Sequence, residues 1–472
     1  MSQKWSYHGI KALSARARLD MAEDVARFPW FGIHDNVNIP FRVYQQCLDN
    51  QSHFDSSTAG TVVIINDPAC IPPRLPDLRL SLLEGSKNPI TYCDILHFDR
   101  DSSQCLNHLA IHMVLKFLID TPEFEFNTYN HKDSLIFAWP RSTNQLQASQ
   151  ETPTWQYMLN LLHIEEASYE GNKKVLGEWF RMANVDPTGQ QVLAWVRDQL
   201  TVGRIHGLKK FHSMDLNTFD WFEFIVPVFG WFHAQIAMEH SLHSQYYGTR
   251  AGHGLVHAFE LLNRKDLHSP SVQGMYHQNI KEALYHIATA CFCDLWCTVA
   301  QVEILKDLRE QASEVLKRLA TQMVHEFASR EALKSATAKS RGNWDDVLWQ
   351  AILWNNDILD YIALNSAISW GDVGIIEDLL LQLLVRFIGG TNSKYTLEVL
   401  EMIQCLNRDW PNDLWSAASF SKLMMSDSDW VYSDFVVQYC WLVNTTGQED
   451  CFLPINLLQE HNIQDIKVCY CF

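Results

Sequence analysis

Val192-Leu193-Ala194-Trp195-Val196-Arg197 is a mostly apolar run that ends on Asp198-Gln199-Leu200-Thr201. Short, apolar and closed by a polar turn, it reads as a buried strand with a carboxylate at its end. Phe222–Phe229 reads as a second buried strand. Upstream, the aromatic run Phe28–Ile33 reads as a strand that delivers Asp35. The clearest strand is Thr61-Val62-Val63-Ile64-Ile65-Asn66, β-branched and closed by Asp67-Pro68. Carboxylates at the carboxyl ends of buried strands face a crevice, so Asp35 and Asp198 are candidate metal ligands. The same residues also suit turns, because Asp-Asn and Asp-Gln pairs begin loops through side-chain to backbone bonds.

Helical spacing takes over downstream. Leu308, Val315, Leu316, Leu319 and Met323 recur at that spacing, and Leu348–Ala363 and Ile375–Phe387 repeat it until Gly389-Gly390. A helix then starts at Asn392 or Ser393 and carries Leu397, Leu400, Ile403 and Leu406, with Glu398 among them. Ser103–Leu118 reads as a further helix, and Ser134–Trp139 as a short strand in an irregular stretch. The expected organisation is a helical lead-in over 1–27, a first α/β part over 28–233, a helical insertion over 234–390, and a C-terminal helical part over 391–472 that completes the core.

Charge and cysteine usage narrow the function classes. The chain holds 37 Lys and Arg against 55 Asp and Glu, a net charge of −18. Affinity for phosphate comes from Lys and Arg, so this balance argues against an autonomous DNA binder and leaves room for a local basic groove. Arg204, His206, Lys209 and Lys210 form one such patch close behind Asp198. The cysteines show no disulfide-like framework, and residues 1–20 carry charges without an apolar core, which together point to a nuclear or cytoplasmic protein. The most apolar stretch, Trp221–Met238, includes Glu223, Pro227 and His233 and reads as a strand and helix start, so no membrane is expected.

Other clusters carry less. His240, His243, His253 and His257 offer a helical metal or small-ligand site, without the His-Glu-x-x-His order of a metalloprotease. Cys291, Cys293 and Cys297 lack zinc-finger spacing and suit buried helix faces. His233 follows a strand-like run and stands either as a core histidine or as a group that binds phosphate or positions water.

Several short landmarks stand in order along the chain. They are His34-Asp35-Asn36-Val37-Asn38, Arg197-Asp198-Gln199-Leu200-Thr201, Phe229-Gly230-Trp231-Phe232-His233 and Gly248-Thr249-Arg250-Ala251-Gly252. Asn392-Ser393-Lys394-Tyr395, Trp441-Leu442-Val443-Asn444-Thr445-Thr446-Gly447 and Glu460-His461-Asn462 follow. In these the chain resembles an uncharacterised, transposon-derived domain family abundant in mushroom-forming fungi. That pattern is similar to a ribonuclease-H-like transposase core with a helical insertion. The resemblance implies a mixed α/β fold with a ribonuclease-H-like core, a large all-α insertion and an α-rich C-terminal part.

On this resemblance Asp35 is the first acid, Asp198 the second and Glu398 the third, with Glu460 and Glu401 as alternatives for the third and His233 in support. Together they would hold Mg²⁺ or Mn²⁺ and cleave or join DNA. The pattern leads one to expect a small residue before the second acid, and Arg197 stands there instead. A non-catalytic scaffold, with the aromatic helical block binding protein or nucleic acid, is the rival expectation, and either case leaves room for a protein partner or self-association.

Overall fold

A computed structural model of the chain describes residues 3–41, 53–65, 74–148, 154–185, 191–212, 222–249, 253–269, 276–339, 345–390, 392–410, 436 and 440–470. Its elements begin with α1 (Gln3–Arg27), β1 (Trp30–Phe41), β2 (His53–Ile64), α2 (Leu75–Lys87) and α3 (Tyr92–Asp120). β3 (Trp155–Met158), α4 (Tyr169–Met182), β4 (Leu193–Arg197), α5 (Gln199–Phe211), β5 (Ile225–Phe229) and α6 (Trp231–Tyr246) follow. A helical run comes next: α7 (Leu255–Leu261), α8 (Tyr276–Ala300), α9 (Ser313–Phe327), α10 (Arg330–Lys339), α11 (Asp346–Ser369), α12 (Val373–Gly389) and α13 (Ser393–Gln404). β6 (Leu442–Val443), β7 (Leu453–Pro454) and α14 (Ile455–Tyr470) close the chain. The class is mixed α/β, as expected.

The chain divides into two units. The first comprises Met1–Ile90, Gln147–His233 and Leu400–Phe472; the second comprises Thr91–Leu146 and Ala234–Val399. Thr91–Leu146, expected inside the α/β part, groups with the helices instead.

The first unit is built on a sheet of order β3-β2-β1-β4-β5. β1 pairs antiparallel with β2 and β2 with β3, while β1, β4 and β5 run parallel. β4 is buried along its whole length, which is why it reads as a continuous apolar run rather than an alternating one. β5 lies at the edge, where Pro227 is tolerated despite its missing N–H. A Cβ at Gly32 would run into the indole of Trp195, its partner across the β1–β4 pair, so glycine there lets the two strands close over that ring.

α14 packs its Ile463 and Ile466 on Val37, Ile39 and Ala59. A polar seam sets its position along the sheet. Thr61 Oγ1 donates to Gln459 Oε1 at 2.6 Å, Gln459 Nε2 donates to the Ala59 carbonyl at 3.0 Å, and Asn462 Nδ2 donates to Thr61 Oγ1 at 3.1 Å. Apolar packing alone tolerates sliding; these bonds fix one register.

The second unit is helical. Its α8 buries Ile280, Ala283, Leu284, Ala288, Phe292 and Trp296, a stripe at helical spacing, in which the larger side chains each contribute roughly 1.5–3 kcal/mol by removal from water. Phe292 stacks on Phe117 at 4.8 Å between centroids, and Trp296 Nε1 donates to the Val114 carbonyl at 3.1 Å. By length and composition His277–Ala300 could cross a membrane; here this stripe packs within the helical core. Ser134–Trp139 forms no strand. Leu135–Phe137 is a 3-10 turn with Leu135 87% exposed, so the stretch offers no apolar face for a sheet to cover. The expected ends of two motifs, Asn66-Asp67-Pro68 and Arg250-Ala251-Gly252, lie outside the described residues.

Candidate metal centre

Strand direction places the first two acids. From β1 the chain adds β2 and β3 on one side, then β4 and β5 on the other, so the sheet has its switch point between β1 and β4. Crevices open at the carboxyl ends of strands at such points. Gly32 pairs with Trp195 and Ile33 with Val196. Continuing that offset brings Asp35 level with Asp198. Asp35 is therefore inside β1 rather than at its end, and reaches the crevice because β4 stops at Arg197 while β1 runs on to Phe41. Asp198 caps α5, its Oδ1 accepting from Thr201 N at 2.9 Å.

His233 and Glu460 arrive on two helices that lock together. Gly230 N donates to the Arg197 carbonyl at 2.8 Å, which turns the chain from β5 into α6 beside β4. Asn456 Oδ1, one turn before Glu460 on α14, accepts from Phe232 N at 3.0 Å in the first turn of α6. A Cβ at Gly230 would collide with the Asn456 amide, so this approach needs glycine. The seam at Gln459 adds the second constraint. Its amide is bonded to Ala59, the residue paired with Asp35 across β1 and β2. Asp35, His233 and Glu460 thus present ligand atoms that all lie within 4.8 Å of one another. His233 Nε2 is 4.0 Å from Asp35 Oδ2, and the two side chains are 25% and 18% exposed.

The group is rich in negative charge. Burial raises the Glu460 carboxyl, and repulsion from Asp35 adds to it, against the pull of His233 and Lys467. Burial disfavours a charged His233, but the nearby charges of Asp35, Asp198 and Glu460 outweigh that and raise its pKa. Asp198 goes the other way. Despite burial, Arg197 and the bonds from Thr201 hold it below the usual carboxylate range. Carboxylate oxygens with one imidazole are a donor set for a hard or borderline divalent cation, and such an ion relieves the repulsion that raises Glu460.

Beneath the acids lies a buried polar layer that sequence reading did not find. Arg197 is fully buried, and its Nη2 contacts Glu166 and donates to Thr201 Oγ1 at 2.9 Å. His34 Nε2 lies 3.2 Å from Glu166 Oε2, and Trp195 Nε1 donates to His34 Nδ1 at 2.6 Å. Burial, with repulsion from Asp35 and Asp198, pushes Glu166 up, and burial pushes Arg197 down. Each charge is costly alone in this layer, and their direct contact holds them as a pair. The large side chain expected to be excluded before the second acid is accommodated because Glu166 and Thr201 receive it inside the core. Glu166 sits in a polar turn before α4 with no periodicity to single it out.

The other expected residues fall elsewhere. Glu398 lies on α13 in the helical unit, 8% exposed, and is not among the ligand atoms grouped with Asp35. Glu401 Oε1 lies 3.5 Å from His206 Nε2 instead. Glu460 is the glutamate grouped with Asp35 and His233, because the α14 seam carries it to β1. The basic patch is partly engaged inside its own unit: Lys209 Nζ donates to the Ile225 carbonyl at 2.9 Å, and Arg204 Nη1 to the Glu166 carbonyl at 3.3 Å. His243 is buried against the Leu267 carbonyl at 2.8 Å, whereas His253 and His257 are exposed, so the four histidines do not share one environment.

The sequence profile of one family, described only as a family of unknown function (DUF6589), matches residues 85–471. The chain belongs to DUF6589. Asp198, His233 and Glu460 lie inside the matched residues, and Asp35 lies before them. No curated protein and no solved structure matches the chain. DUF6589 membership therefore brings no activity with it, and the chemistry has to be argued from the site.

Proposed function

We propose that Asp35, His233 and Glu460, with Asp198, form a divalent-cation site in a ribonuclease-H-like core, and that the protein is a transposase-derived phosphodiester-cleaving or strand-joining enzyme acting on DNA. The observation that carries this reading is the convergence of ligand atoms from β1, α6 and α14 within 4.8 Å. The sheet supports it too, with β2 alone reversed and the acids at the switch point. Mg²⁺ or Mn²⁺ there would supply Lewis-acid activation of a nucleophile and stabilisation of a leaving oxygen. Asp35 and Glu460 would hold the ion, Asp198 would face it from the start of α5, and His233 would hold a proton or a water at Nε2. Among the described residues Cys93, Cys105 and Cys291 form no disulfide, which suits a reducing intracellular compartment.

The net charge of −18 favours the second reading, a non-catalytic scaffold, or else a catalytic body whose DNA grip comes from a partner. Nicking of supercoiled DNA by the purified chain separates the two. The enzyme reading expects Mn²⁺-dependent nicking that falls at least about a hundredfold in Asp35→Asn and in Glu460→Gln, each removing a cation ligand, and persists in Glu398→Gln. Nicking that survives the first two changes would reject the assignment, and none in any variant would leave the scaffold.

A further inference from the structure

We propose that the buried Glu166–Arg197 pair is a positioning device for the cation site, setting the geometry of residues it does not itself accompany in ligation. The inference rests on the cation reading above. The pair is linked, through side chains or backbone, to every part of the site except α14. His34, facing Glu166 at 3.2 Å, is the residue before Asp35, and Arg197 is the residue before Asp198. The Arg197 carbonyl also holds Gly230 N at 2.8 Å, three residues before His233. Thr201, which accepts from Arg197 Nη2, is the same residue whose N–H caps onto Asp198. Displacing one buried salt bridge would therefore move β1, the start of α5 and the start of α6 together.

A pair kept only for stability would be expected to use its donors. Arg197 Nε and Nη1 are instead buried without a hydrogen-bond partner among the described residues. An apolar core of the same volume would hold the strands at least as well. What it would not supply is a fixed hydrogen-bonded geometry at the residues next to Asp35 and Asp198. Partners one layer behind metal ligands act in this way, and losing one typically weakens metal binding about 10- to 100-fold.

The test measures Mn²⁺ affinity of the full chain by electron paramagnetic resonance, alongside thermal unfolding. Glu166→Gln is expected to weaken Mn²⁺ binding about 10- to 100-fold. The double variant Glu166→Leu/Arg197→Leu is expected to recover thermal stability while its Mn²⁺ affinity stays at least about tenfold below wild type. A double variant that regains both would overturn the positioning role and leave the cation reading intact. A wild-type chain that binds no Mn²⁺ would overturn both. Should the double variant not fold, Glu166→Asp decides the matter, since it keeps the charge and shortens its reach by one methylene: folded protein with weakened Mn²⁺ binding agrees with positioning, and folded protein with wild-type affinity contradicts it.

Discussion

The Asp357–Arg386 pair of the helical unit and the Glu166–Arg197 pair of the sheet unit both hold an arginine against a carboxylate out of water. In the helical unit the pair ties α11 to α12, Tyr246 of α6 donates its hydroxyl to Asp357, and Arg386 Nη1 donates to Gln245 Oε1 at 2.8 Å. Its surroundings are helices packed on helices. In the sheet unit Arg197 is the residue before Asp198, and Glu166 faces His34, the residue before Asp35, at the sheet's switch point. The same chemical device thus joins helices in one place and orients candidate ligands in the other. What distinguishes them is the neighbouring residue rather than the pair itself.

Breaking the helical pair gives the largest expected effect. Arg386→Leu leaves the Asp357 carboxylate buried without its cation, a loss of about 3–5 kcal/mol in unfolding free energy by urea titration. Mn²⁺ affinity should stay as in wild type, because none of the ligands belongs to that unit. A large drop in metal binding would erase the contrast between the two pairs.

A smaller effect is expected at the α14 seam. Gln459→Leu leaves the Ala59 carbonyl and the Thr61 hydroxyl short of a partner, at about 1–3 kcal/mol. Unlike Arg386→Leu, this change should also weaken Mn²⁺ binding, because the seam fixes the register that brings Glu460 to Asp35. Equal affinity would mean that apolar packing of α14 suffices to place Glu460.

The smallest effect is in pH. His233 has its folded pKa raised above its ordinary 6.5, so its contribution to stability is fully present below 6.5 and lost as pH rises through the raised value. Glu460 is raised above its ordinary 4.5, so its ionisation, too, lowers stability as pH rises from there. Metal-free wild type should therefore lose more stability than His233→Gln/Glu460→Gln as pH rises from 4.5 past 6.5. Saturating Mn²⁺ should remove or reverse this difference, because the deprotonated ligands bind the ion. An identical pH slope in the two proteins would sever the link between these groups and folding.

Much of this was readable in the sequence where one residue's neighbours decide its state. β4 and β5 were legible as apolar runs, and α9, α11 and α12 as apolar residues at helical spacing with Gly389 and Gly390 at the stop. Asp35 and Asp198 were legible because each follows a strand-like run. The grouping of Glu460 with Asp35 was not. Glu398 and Glu460 both look like ordinary helical glutamates, and what separates them is long-range: Gln459 and Asn462 bonded to β2, and Asn456 seated against Gly230. Glu166 was invisible for the same reason, since its partners are 132 residues earlier and 31 later in the chain. The glycines at 32 and 230 were the available signals, each marking a close approach that no local pattern predicts.

The most direct test of the cation site is electron spin echo envelope modulation on Mn²⁺ bound to the full chain. The account predicts a ¹⁴N modulation from the imidazole of His233 that disappears in His233→Gln, with Mn²⁺ binding itself lost in Asp35→Asn and in Glu460→Gln but kept in Glu398→Gln. Mn²⁺ that binds without nitrogen modulation, or binds equally in all four variants, would place the ion elsewhere and contradict it.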